Sequence, residues 1–142
     1  MAISALGELG AARAADRLRR ALTDARAEAR FQAVIAYPRV CGSREAAVDA
    51  LVAATRDDDP LVCHIALRMA EEVAADGDEA EVDARVMMRA KALVGHADPG
   101  LRVAAAILLA PRGDAAAREV LVRVARGETK TRDREDEAAA VE

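Results

Sequence analysis

The chain has 142 residues and a formal net charge of −4, with 53% hydrophobic and 32% charged residues. That length fits a single domain, the mixture excludes a disordered polyelectrolyte, and the apolar stretches are shorter than the roughly 18 residues that span a bilayer. A negative total also argues against a general DNA or RNA binder, which needs a basic stripe to neutralise phosphates. Neither nucleic acid nor a membrane is an expected partner.

Alanine supplies 37 residues, and Phe31 and Tyr37 are the two aromatic ones. This composition suits closely spaced helices and suits a β-sandwich badly, so the expected fold is all-α. The opening Met-Ala-Ile-Ser-Ala-Leu-Gly-Glu-Leu-Gly lacks the basic region and long apolar core of an export signal, which predicts a cytoplasmic protein. Cys41 and Cys63 lie 22 residues apart with no C-x-x-C motif and no His/Cys cluster. They read as two small buried thiols, with neither a disulfide framework nor a zinc site indicated.

In chain order, Ala5-Leu6-Gly7-Glu8-Leu9-Gly10 reads as the end of a helix, and Ala14 to Leu22 as the next one. A turn from Asp24 through Glu28 then introduces a helix over Ala29 to Tyr37. Apolar spacing of three and four predicts helices over Ala46 to Ala54, Val62 to Ala70, Val82 to Val94 and Leu101 to Leu109, with a last one from Ala115 to Ala125. The segments beginning at Ala29, Val62 and Leu101 align with one another at offsets of 33 and 39 residues. Each follows an Asp-bearing turn, in which Asp can cap the coming helix and Pro pre-sets its first turn. The repeating unit is therefore a helix pair. The longer offset coincides with the acidic insertion from Asp76 to Glu81, a surface loop in this reading. The chain begins and ends with half-units, and uncapped ends of that kind invite self-association. From Gly127 onward no apolar residue follows for ten positions, so residues 127–142 read as a charged flexible tail beyond a helical domain of residues 1–126.

Asp98-Pro99-Gly100-Leu101-Arg102 and Ala5-Leu6-Gly7-Glu8-Leu9-Gly10 resemble the HEAT repeats of the phycobilisome-lyase type, whose units carry Asp-Pro-x-Val-Arg and later Ala-Leu-x-x-Leu-Gly. The resemblance covers about residues 2 to 126. It implies an α-solenoid of about three antiparallel helix pairs, a form used across many bacterial proteins chiefly as a binding surface. It also implies a ladder of ion pairs, with Arg30 and Arg102 on partners such as Asp24 and Asp98. In the middle copy Cys63 stands where Arg would be, so the ladder is expected to be interrupted there, with Asp59 acting as a helix cap alone.

No residue set proposes catalysis, a cofactor or a metal. His64 and His96 are isolated, without a second His at helical spacing; they are followed by Ile65 and Ala97, where iron-binding helical-repeat enzymes carry His-Glu dipeptides. Asp76-Gly77-Asp78-Glu79 begins like a calcium loop, but Glu81 and Met87 occupy the places of the required Gly and Glu. Glu71 and Glu72 are adjacent on a helix and point about 100° apart, so they read as surface charges. No Gly-rich phosphate loop follows a strand.

The second helix of each pair lines the concave side of such a solenoid, and aligned positions form columns across it. One column is Ser4, Ile35, Arg68 and Ile107. Phe31, Ile35, Ile65, Val103 and Ile107 then form an apolar centre flanked by Gln32, Arg39, His64, Arg68 and Glu72, the layout of a protein interface. A slight rotation of the helices would instead bury Phe31, Ile35 and Ile107 between units. The expected function is a non-catalytic adaptor or scaffold binding a partner protein on this face. The alternatives are a chromophore-lyase-like accessory subunit or a structural segment of a larger regulator.

Overall fold

A computed structural model of the chain describes residues 2–77 and 81–127, with the side chains of residues 2–6 and 8 outside the description. The side chains of Ser4 and Glu8, residues 78–80 of the acidic insertion and the tail from residue 128 therefore fall outside the description. Among the described residues there are seven α-helices and no strand: α1 (Ala2–Ala21), α2 (Ala27–Val40), α3 (Arg44–Ala54), α4 (Pro60–Ala75), α5 (Ala84–Leu93), α6 (Pro99–Leu109) and α7 (Ala115–Ala125). A turn of 3-10 helix at Ala110–Arg112 extends α6.

The helix starts follow from local chemistry. Ser43, Asp59, Asp98 and Asp114 each accept a hydrogen bond from a backbone N–H in the first turn of the helix they precede, satisfying donors that have no partner inside the helix. Pro60 and Pro99 occupy the opening positions of α4 and α6, where a missing N–H costs nothing. Three residues separate α2 from α3, and Gly42 adopts φ +70° there, a left-handed turn that side chains disfavour. Gly113 makes the corresponding turn before α7 at φ +90°.

The N-terminal region differs from the sequence expectation. Gly10 does not end a helix, and the chain does not open with a separate half-unit: α1 runs unbroken from Ala2 to Ala21. Glycine ends helices by taking positive φ, which Gly7 and Gly10 do not take, and no proline follows to force a stop. Inside an alanine-rich helix each glycine costs about 1 kcal/mol relative to alanine, which twenty residues of helix absorb.

The helices cluster into two compact units, Met1–Asp83 and Ala84–Glu142. In the first, α1 packs on α2, α2 packs on both α3 and α4, and α3 packs on α4. Ala33 and Ala66 are 1% and 0% exposed, so the absence of larger side chains lets the helices approach closely; Val34, Leu51, Val62 and Leu67 fill the core around them. Thr55, the one buried polar residue among those described, donates its hydroxyl to Val52 O at 2.6 Å. In the second unit α6 packs on α5 and α7, burying Val86, Ala90, Leu101, Ala105, Leu108 and Ala117.

The aligned turns share a hydrogen-bond pattern that composition alone does not reveal. The Arg26 N–H donates to Asp24 Oδ1 at 2.8 Å, the Asp59 N–H to Asp57 Oδ1 at 2.9 Å, and the Asp98 N–H to His96 Nδ1 at 3.0 Å. His96 thus performs as a turn acceptor the task that Asp performs in the other two copies. Six residues further along each copy, Arg30 donates to Asp24 O at 2.9 Å, the Cys63 thiol to Asp57 O at 3.0 Å, and Arg102 to His96 O at 3.0 Å. Cys63 replaces an arginine and keeps its hydrogen bond to the turn.

The ion pair of Arg30 is not with Asp24. Its Nε and Nη2 donate to Asp57 Oδ2 and Oδ1 at 2.8 and 3.0 Å, because the Asp24 carboxylate is already engaged by the backbone and guanidinium of Arg26. Cys41, expected to be buried, is half-buried at the C-terminal end of α2, where the chain turns outward at Gly42; Cys63 is buried.

Candidate partner-binding face

Two bidentate ion pairs register α2 against α4. Arg30 near the start of α2 holds Asp57, just before α4, and Arg39 near the end of α2 holds Glu72 well along α4, with Nε and Nη2 at 3.0 and 3.1 Å from Oε1 and Oε2. Two contacts in the same order along both helices mean that α2 and α4 run parallel. The Arg30–Asp57 pair is largely covered, with 19% and 12% of the two side chains exposed. Burial draws the Asp57 carboxyl upward, but the Arg30 guanidinium and the Asp59 amide outweigh it and hold the group below the ordinary aspartate value. The Arg39–Glu72 pair is solvent-exposed, so its contribution is orientation more than stability.

Six of the residues nominated from the sequence come together on this pair of helices. Ile35 and Arg39 from α2, and His64, Ile65, Arg68 and Glu72 from α4, line one shallow hollow of about 660 Å³. Ile35, His64, Ile65 and Glu72 are half-buried, while Arg39 and Arg68 are exposed. Phe31 and Gln32 line a second, smaller hollow of about 200 Å³ nearer the helix starts, together with Glu28, Asp59 and Leu61. Rotation into the core does not occur: Ile35 and Phe31 stay at the surface, half-buried. Val103 and Ile107 lie on α6 in the second unit, where Val103 is half-buried and Ile107 is 44% exposed. Ala104, their neighbour, is buried.

Sequence reasoning missed Glu28, Leu61, Met69 and Glu71 as lining residues. Leu61 was within reach, since it precedes Ile65 by four positions and Arg68 by seven on the same helical face; it is 47% exposed. Met69 is buried beneath the hollow, and periodicity places it in the core without saying that its edge forms a floor. Glu71, placed at the surface in the sequence reading, is half-buried on the rim.

The surroundings are acidic. Residues 24–77, which comprise α2 to α4 and their turns, contain 10 acidic and 6 basic residues. Among the described residues no group of three or more His, Cys, Asp or Glu side chains is arranged to hold a metal ion, and no helix is long and apolar enough to cross a membrane. No family model, curated protein or solved structure matches the chain.

Proposed function

We propose that the chain is a non-catalytic protein-interaction module, a small adaptor or scaffold whose working surface is the face shared by α2 and α4. The observation that carries this reading is the hollow lined by Ile35, Ile65 and Arg68 and bounded by the Arg39–Glu72 pair. Half-buried aliphatic side chains form its floor and fixed charges form its rim, the layout of a protein interface with an apolar centre and a polar edge. Isoleucines left at the surface of a helix, where polar residues would cost nothing, are explained by contact with something else.

The architecture adopted in this reading is a HEAT-like stack of about three helix pairs. It is supported by the parallel course of α2 and α4 and by the turn pattern repeated at Asp24, Asp57 and His96. The partner is a protein, and no cofactor enters the reading. The two free thiols favour a reducing, cytoplasmic setting.

Photo-crosslinking tests the proposal. With a benzophenone amino acid at position 68, the host cell should yield a discrete crosslinked protein that disappears when Ile35 and Ile65 are changed to Ser. Equal crosslinking from position 68 and from position 123, on the exposed face of α7, would overturn it.

A further inference from the structure

We infer that the occupant of the α2/α4 face is a cationic amphipathic helix of about three turns, lying antiparallel to α2 and α4 with its basic residues in its last turn. This rests on the reading of that face as a partner-binding surface and adds the chemistry and direction of what binds.

The form of the occupant follows from what the face offers. Pairing with an extended peptide needs an exposed strand edge, and the described residues contain no strand. A polyproline segment needs an aromatic-lined groove, and Phe31 is the single aromatic side chain lining either hollow. A phosphorylated segment needs an arginine cluster, but Arg39 is committed to Glu72 and Arg68 stands alone. Two parallel helices leave a furrow between them, which the ridge of a third helix fills. From Glu28 to Arg39 the furrow is about 16 Å long, room for about three turns.

Charge gives the direction. The end of the furrow at the helix starts carries Glu28 and Asp59 beside the apolar pocket of Phe31 and Leu61, and Glu28 forms no ion pair among the described residues. At the other end Arg39 and Glu72 cancel, as do the charges of Arg68 and Glu71 on the same rim and those of Arg44 and Asp76 in the hollow that adjoins Arg39. A partner therefore meets a negative end and a neutral one, within a surface region whose acidic excess draws cations from a distance. Lys and Arg are most favourable in the last turn of a helix, against its negative dipole end. Seating that turn over Glu28 and Asp59 orients the partner antiparallel to α2 and α4 and opposes its dipole to theirs.

The test is a display library screened against the full chain. The probes are peptides of about 14 residues with Leu fixed at helical spacing and the flanking positions of the first and last turns varied among Lys, Gln and Glu. Recovered binders should carry Lys in the last turn, weaken at least tenfold when those Lys become Glu, and lose that preference against the Glu28→Lys variant, whose cooperative melting curve shows that it still folds. Binders indifferent to charge, basic at the first turn, or equally tight with Pro in the middle overturn this inference while leaving the interaction face standing. If no peptide is retained, or if retention survives Ile35→Ser with Ile65→Ser, the reading of the face falls as well.

Discussion

Asp57 serves two turns at once, closing its own through the Asp59 N–H and receiving the guanidinium of Arg30 from the preceding copy. Its carboxyl titrates lower in the fold than in the unfolded chain. The stabilisation is therefore present in full above the unfolded value of about 3.9 and is lost as pH falls through the folded value. Asp57→Asn should lower the melting temperature at pH 7 by about 3–6 °C, and the gap from the wild type should narrow as pH falls below the ordinary aspartate range; a gap that persists undiminished in acid would show that the pair contributes nothing as a charge pair. His96 is the second informative residue. The 39-residue offset aligns it with Asp57, yet its residue type hides the role, because an imidazole nitrogen accepting the Asp98 N–H has no signature in composition. His96→Ala should cost about 0.5–1.5 kcal/mol and His96→Asp should restore it, as thermal melts of the two variants will show; equal loss in both would mean that the imidazole acts through packing.

At the scale of the helices, most of the fold was legible because capping is local. The starts of α4 and α6 are marked by Asp and Pro within two residues and that of α7 by Asp114, and a side-chain oxygen needs no tertiary partner to bind the first turn. The start of α1 was misread for a matching reason: glycine signals a helix end only when the backbone turns left-handed, and whether it does so is decided by the following residues and by packing. Gly10→Ala tests this. An added Cβ meets nothing within 4 Å, so the variant should gain about 0.5–1 kcal/mol in denaturant unfolding; destabilisation would restore a helix terminus at that position. Ala66 is fully buried, at 0% exposure. Ala66→Leu should cost about 1–3 kcal/mol by overpacking, whereas a wild-type unfolding curve would show that α4 has room on that side.

Over the whole molecule the candidate site divides into what alignment can and cannot see. Equivalent positions in successive copies nominate Ile35 with Arg68, and Arg39 with Glu72, because the same helical face recurs every 33 residues. How far Phe31 and Ile35 rise above the surface depends on the rotation of α2 and α4 against each other. That rotation is fixed by ion pairs such as Arg30–Asp57, between residues 27 apart in sequence, which no periodicity specifies. Whether unit 1 uses this face for recognition is separable from whether the face holds unit 1 together. The direct measurement is the triple variant Ile35→Ser, Ile65→Ser, Arg68→Glu, followed both by thermal melting and by affinity for the partner crosslinked from position 68. Surface side chains contribute little to folding and anchor side chains much to binding, so the melting temperature should fall by no more than about 5 °C while affinity falls at least tenfold. A variant that unfolds outright would mean that these residues are core, and one that melts normally and binds undiminished would mean that recognition lies elsewhere on the chain.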